Sequence, residues 1–359
     1  MKELEDLAAG ILLAMEENNK AFLADFFDTE AFADRIIIDG PSEELRQFNA
    51  GFLSSLKEGD LMARMLLENE AVNGSEYDFL RAYFNKKEGH LIFRLYGDDG
   101  MNYHDFLIEK IKGEYKMTDI YIYLTGEYLS ETFSRLYLMS SKEYLAPSDT
   151  EGLPDLDMED LSKVITAKGL VDRGEYEAAK EVISGLSEEV RSEKLFRLVE
   201  LIIKSNLDDE GYLEVMENYK RSFPDDPSIY LMSIDYLILR EEYEAARTAI
   251  DSLDQKLGGD SFLNLQRANI FYYENNLQKA GEFINLFLTE YNEHFDGLNF
   301  LLMIQIEKGQ FDQAVLTMEK LIESHDLYKA DLIAFIEGEP DYAGLAKSEA
   351  FKNWKKAKN

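Results

Sequence analysis

Cysteine is absent from the 359-residue chain. That absence excludes disulfides, cysteine-ligated zinc, iron–sulfur clusters and thiol nucleophiles. Cationic residues are scarce as well: 38 Lys and Arg face 71 Asp and Glu, a formal net charge of −33. Binding nucleic acid requires clustered cations that neutralise phosphates, so nucleic acid is not an expected partner. The shortage is even, with 15 basic and 29 acidic residues over 1–150 and 23 and 42 over 151–359. Neither half is a basic arm or an acidic tail. Long apolar runs are also missing. None approaches the roughly 18–20 residues of a membrane span, and no membrane span is expected.

Only four histidines occur, His90, His104, His294 and His325. The strings H-E-x-x-H, G-x-x-x-x-G-K-[ST], G-x-S-x-G and G-x-G-x-x-G are all absent. The common metalloprotease, phosphate-loop, hydrolase and dinucleotide chemistries therefore lack their motifs. Acidic runs such as residues 155–160 and Asp208-Asp209-Glu210 lack the alternating oxygens and closing Glu of a calcium loop. No metal, no cofactor and no catalytic residue is assigned. The start, Met1-Lys2-Glu3-Leu4-Glu5-Asp6, lacks the basic-then-apolar pattern of a signal peptide. A cytoplasmic setting is the default expectation, and a periplasmic one applies if a signal segment has been trimmed away.

What is present points to a folded chain, since 45% of residues are hydrophobic and 12% aromatic. Residues 1–145 change period twice. Leu4, Leu7, Ala8, Ile11, Leu12 and Met15 form a helical stripe. Asp28-Thr29-Glu30 is an N-cap signal for a helix to about Ile37. Gly40-Pro41-Ser42 starts another, which runs through Phe48, Phe52, Leu56 and Leu61 to Leu67. From there the period is two, and residues 77–84, 91–96, 103–111 and 115–124 read as strands. Short connections make them an antiparallel meander. In the last strand Tyr115, Met117, Asp119, Tyr121 and Tyr123 are expected on one face, Lys116, Thr118, Ile120, Ile122 and Leu124 on the other. A helix over about 127–144 closes this unit. Helices followed by a curved antiparallel sheet resemble the nuclear-transport-factor-2-like (cystatin-like) α+β cone. If the sheet face lines such a cone, Tyr103, Asp105, Asp119 and Tyr121 converge in a pocket able to do acid–base work. Cross-strand packing on a solvated face is the plainer account of the same residues.

Residues 146–159 contain two of the six prolines and read as a linker. Beyond it the chain repeats. Gly174-Glu175-Tyr176-Glu177-Ala178-Ala179, Glu241-Glu242-Tyr243-Glu244-Ala245-Ala246, Asn275-Asn276-Leu277-Gln278-Lys279-Ala280 and Gly309-Gln310-Phe311-Asp312-Gln313-Ala314 align. Ala246, Ala280 and Ala314 are 34 residues apart. The spacing and these residue types resemble the tetratricopeptide repeat (TPR) family. The resemblance covers about 160–354 and implies two antiparallel helices per unit. Gly174, Asn275 and Gly309 then end first helices in left-handed turns. Tyr176, Tyr243, Leu277 and Phe311 plug the gap between paired helices, with Tyr243 expected to be buried. The facing small-residue position holds Ala167, Ile234, Ala268 and Leu302. Residues 193–224 form a degenerate unit that lacks the turn signal. Residues 340–354 read as a terminal helix, whose outer face is kept polar by Lys352, Lys355, Lys356 and Lys358.

The expected fold class is therefore an α+β domain (1–145), a linker (146–159) and an all-α TPR superhelical array (160–359). The array has about five helix pairs and a capping helix. The resemblance implies a groove lined by first helices. Its candidates are Val164 and Lys168, then Leu231, Asp235 and Ile238, then Phe262, Leu265, Asn269 and Tyr272, and finally Asn299, Met303 and Ile306. One Lys and two Asn do not make the family's carboxylate clamp. A mixed groove in an acidic body prefers neutral or basic, apolar-anchored peptides. The expected function is a non-enzymatic scaffold that binds a protein or peptide. The alternative is a small-molecule-binding or lyase-like pocket in the N-terminal cone. Oligomeric state does not follow from the sequence.

Overall fold

The structure, a computed structural model, describes every residue except 59, 72–75, 98, 99, 146–157, 172, 225, 227, 358 and 359. The linker read at 146–159 thus lies outside the described residues up to 157. Two compact units divide the chain, Met1–Met232 and Ser233–Asn359.

The first unit begins with α1 (Lys2–Glu16), α2 (Lys20–Phe26), α3 (Thr29–Ala33), α4 (Glu43–Glu58) and α5 (Leu61–Ala71). The stripe on α1 is the buried one, with Leu4, Ala8, Ile11 and Met15 sealed from solvent. Asp28 caps α3 by accepting from Ala31 N–H at 2.8 Å, but the helix ends at Ala33, short of Ile37. The single helix read through Leu56 and Leu61 is two. The chain leaves helical geometry before Leu61, where Asp60 takes a left-handed φ of 42°.

Five antiparallel strands follow in sequential order: β1 (Glu76–Asn85), β2 (Glu88–Gly97), β3 (Gly100–Ile111), β4 (Glu114–Ile122) and β5 (Glu127–Tyr128). The last is short and precedes α6 (Leu129–Ser141), where the sequence read only helix. One sheet face, with Leu91, Phe93, Leu95, Phe106 and Ile108, packs in a single apolar cluster with α1, Phe26, Phe27, Phe32 and Tyr137. Two register shifts decide which residues join it. Ile108 pairs with Met117 and Leu107 with Asp119, so Thr118 is an extra residue. A one-residue slip exchanges the two faces of a strand. Met117 and Ile120 are therefore both in the core, contrary to the alternation expected from sequence. A second shift between Phe79 and Arg81 does the same to β1.

The first unit continues with α7 (Met158–Val171), α8 (Tyr176–Ser184), α9 (Glu188–Ser192), α10 (Lys194–Ser205), α11 (Asp209–Ser222) and the start of α12 (Ile229–Leu239). The turn from α10 to α11, in the degenerate stretch, contains no left-handed residue. Lys194 ties these helices to the sheet, meeting Asp226 at 2.6 Å and Glu127 at 3.4 Å. Gly126 is required there, because a Cβ would lie 2.6 Å from both Asp226 Oδ1 and Ser228 N.

In the second unit α12 leads to α13 (Tyr243–Leu257), α14 (Leu263–Tyr273), α15 (Leu277–Glu290), α16 (Phe295–Glu307), α17 (Phe311–His325) and α18 (Lys329–Gly338), then α19 (Ala343–Lys347) and α20 (Glu349–Lys356). The helix starts Tyr243, Leu277 and Phe311 repeat the 34-residue spacing. Each follows a turn with one left-handed residue: Glu241 (φ 59°), Asn275 (60°) and Gly309 (68°). Ala246, Ala280 and Ala314 are fully buried, as are Ala268 and, nearly so, Ile234 and Leu302. Tyr243, Leu277 and Phe311 are only half-buried. At the first position of a helix, directly after a turn, the side chain has neighbours on one side and solvent on the other. Leu345, Phe351 and Trp354 close the end of the core against Met318, Leu321 and Ile336. Lys352, Lys355 and Lys356 face solvent, and Lys358 lies outside the described residues.

Candidate functional site

The groove candidates separate by burial. Leu231, Phe262 and Leu265 are 9%, 2% and 4% exposed, which takes them out of any open surface. Phe262 sits among Phe287, Tyr291 and His294, with ring centroids 5.1 to 5.4 Å away. Val164 packs into the core of the α7–α8 pair beside Ala167 and Ala179, whereas Lys168 is exposed. Ile238, Asn269, Tyr272, Asn299, Met303 and Ile306 are half-buried, and Asp235 is exposed. Although open to solvent, the Asp235 carboxyl is crowded by protein, and this desolvation raises its pKa.

Helices α14 and α16 are neighbours on this surface. The Tyr272 ring meets Phe300 edge-on at 5.5 Å, and its hydroxyl donates to the Glu307 carboxylate. Burial first, then Glu307, push the phenol up to about 12, so it remains a donor at neutral pH. Among the described residues the side-chain amides of Asn269 and Asn299 make no hydrogen bond. Each side-chain amide offers both a donor and an acceptor.

The sheet's second face is polar and aromatic. Asp105 lies opposite Tyr121 on β4. Asp119 shares the face but is spent on structure. Its carboxylate accepts from Ile120 N–H, Ser130 N–H and Ser130 Oγ, which holds the start of α6. Burial nonetheless raises its pKa. The two carboxylates therefore do not act as a pair. Asp105 is joined instead by two residues absent from the sequence-derived set. Tyr83 donates to Asp105 Oδ2 at 2.7 Å, and His90 Nδ1 lies 3.0 Å from Oδ1. Tyr83 and His90 stack at 4.5 Å with planes 10° apart. Their register follows from the short 86–87 turn, which pairs Tyr83 with His90 directly.

His90 and Asp105 are 5% and 6% exposed, while Tyr83, Tyr121, Tyr123 and Tyr128 around them are half-buried. Burial raises all four phenols, Tyr123 and Tyr128 to about 12, so each stays protonated at neutral pH. Tyr103 is fully buried, its ring 5.9 Å from Tyr123. In the neutral imidazole, an Nδ1–H given to Asp105 leaves the lone pair on Nε2. That Nε2 is buried and has no hydrogen-bond partner among the described residues. His104 is a different case. It faces the apolar core, bonds Tyr77 through Nδ1 at 3.0 Å, and burial lowers its pKa to about 3. Among the described residues no three His, Asp or Glu side chains are placed to hold a metal ion. No described helix is long and apolar enough to cross a membrane.

No protein family, curated protein or solved structure matches the chain.

Proposed function

We propose that the chain is a protein-binding scaffold of the tetratricopeptide repeat type, which holds an extended segment of a partner on its first helices. The observation that carries this reading is the pair of unused amides, Asn269 and Asn299, on the neighbouring helices α14 and α16. An extended peptide offers backbone N–H and C=O groups that such amides pair with, while Met303 and Ile306 supply apolar contact. The 34-residue recurrence of left-handed turns at Glu241, Asn275 and Gly309 supports the repeat assignment. The test is selection of peptides against the full chain. The reading expects binders that lose about tenfold or more in affinity when Asn269 and Asn299 are both changed to Ala. Binders indifferent to that change contradict it.

A second reading rests on one observation, the buried and unpartnered Nε2 of His90 beside Asp105 and Tyr83. A hydroxyl-bearing small molecule donating to Nε2 would satisfy it, with the phenols of Tyr121, Tyr123 and Tyr128 as further donors. This suits the nuclear-transport-factor-2-like resemblance. A thermal-shift screen of small hydroxyl compounds tests it: hits abolished by His90→Gln support the reading, and hits unchanged by it remove the reading.

A further inference from the structure

A cavity of about 160 Å³ lies within the first unit, between α8, α9 and α10. Each helix contributes one cation to its lining: Lys180 from α8, Arg191 from α9 and Lys204 from α10. Glu200 is the one carboxylate among the lining residues. Three cations against one anion reverse the balance of a chain with 38 basic and 71 acidic residues. Ile183 and Ile203, both buried, give the cavity an apolar side.

The carboxylates nearby do not saturate these cations. Charge-assisted contacts to a carboxylate close to about 2.7–2.9 Å. Among the described residues, Lys180 reaches only Glu177, at 3.4 Å, Arg191 only Glu200, at 3.5 Å, and Lys204 only Asp208, at 3.5 Å. Other lysines of the same run of helices close fully: Lys163 meets Glu159 at 2.8 Å and Lys194 meets Asp226 at 2.6 Å. The three loose carboxylates are engaged elsewhere or open to water. Glu200 is met more closely by Arg197, at 3.1 Å, and Asp208 caps α11 by accepting from Gly211 N–H. Glu177 is exposed, where an ion pair is worth little. Like charges gathered around one cavity repel, and a bound anion relieves that repulsion.

Volume narrows the ligand. The cavity is smaller than the roughly 300–1,000 Å³ of pockets for drug-sized molecules, and close to the ~150 Å³ that accepts a benzene ring. We propose that it binds a small organic anion about the size of a single ring. The carboxylate or phosphate of that anion is held by Lys180, Arg191 and Lys204, and its apolar body lies against Ile183 and Ile203. Neither the scaffold reading nor the sheet-face reading is needed for this site.

The test is calorimetric titration of the full chain with benzoate, phenyl phosphate, inorganic phosphate and benzyl alcohol, at about 0.15 M salt. Benzoate or phenyl phosphate is expected to bind at least ~10-fold more tightly than benzyl alcohol, which lacks the charge, and than inorganic phosphate, which lacks the ring. Lys180→Gln with Lys204→Gln is expected to weaken the ring anion by about tenfold or more, and Lys180→Arg with Lys204→Arg to retain it. Gln keeps most of the lysine stem, so packing around the cavity is preserved, and an unchanged thermal midpoint checks this. The control is Lys279→Gln with Lys352→Gln, an equal charge change at exposed positions of the second unit. Equal losses in the two Gln variants would mean attraction by net charge alone and would overturn the proposal. Benzyl alcohol binding as tightly as benzoate would reduce the site to an apolar cavity, and inorganic phosphate binding as tightly as phenyl phosphate would remove the organic ligand. Failure of all four probes would leave only a packing void, and each of these three results also overturns the proposal.

Discussion

Phe106 in the sheet and Phe287 in the array are both sealed from solvent, yet different kinds of neighbour seal them. Phe106 meets Phe93 at 4.8 Å, pairs with Ile120 and shares its cluster with Leu4, Ile11 and Tyr137 from both ends of the section. The ring neighbours of Phe287 are Phe262, Tyr291 and His294, and Gly297 of α16 packs against its edge, so all lie within three consecutive helices. A sheet core closes only when distant strands are in register, whereas a repeat core closes locally and again in each unit. The difference predicts where damage spreads. Buried ionisable groups are most numerous on the sheet, where fixed register supplies partners across strands to Arg94, His90, His104, Asp105 and Asp119, while Asp160 and Asp260 are buried among the helices.

The largest expected effect is a direct contest between the two cores. Phe106→Ala and Phe287→Ala should each cost about 3–5 kcal/mol. Hydrogen exchange should show Phe106→Ala loosening β1 to β4 together, and Phe287→Ala loosening α14 to α16 with the strands still protected. Equal loosening of the strands in both variants would break the comparison.

Acid should separate the cores next. Burial depresses the folded-state pKa of His104 to about 3 from the ordinary histidine value of 6.5. Between those values the unfolded chain binds the proton and the folded sheet does not. Sheet stability therefore rises with pH through this window and is lost as pH falls, by up to ~1.4 kcal/mol per pH unit. Urea titrations read on the strands should show this slope, and His104→Phe should flatten it.

A smaller effect separates the two carboxylates of the polar face. Asp119→Ala should cost about 1–2 kcal/mol through loss of its hold on the start of α6. Fraying of α6 in exchange experiments, with no change at Tyr83 or His90, is the expected signature.

The smallest effects compare one backbone geometry bearing three residues. Glu241→Gly should stabilise by about 1 kcal/mol because Glu pays for a left-handed φ that Gly adopts freely. Asn275→Gly should gain less, since Asn tolerates that region. Gly309→Ala should lose about 1 kcal/mol from strain alone, as nothing lies within 4 Å of the added Cβ. Thermal midpoints that ignore this order would contradict equivalence of the three turns.

Much of this arrangement was legible in the residues. Strand positions followed from period two, and the helix pairs from a 34-residue recurrence, because both report how often a side chain returns to one face. The faces themselves were less legible. Thr118 is an extra residue that no hydropathy pattern marks, and it moved Met117 into the core. Phe262 and Leu265 were assigned to an open surface, yet α14 is buried on more than one side, so helical spacing alone did not tell which neighbour covers which stripe. His90 was recoverable, since a two-residue turn at 86–87 puts it opposite Tyr83 and one strand from Asp105. Asp119 was not, because Ser130 is its partner only through a later turn.

The central claim is that partners bind the first helices of the array. Hydrogen–deuterium exchange of the full chain, with and without a selected peptide at saturation, tests it most directly. The account predicts new protection in Leu263–Tyr273 and Phe295–Glu307, with Tyr243–Leu257, Leu277–Glu290 and Phe311–His325 unchanged. Protection confined to those second helices, or to strands Glu76–Asn85 through Glu114–Ile122, would contradict it.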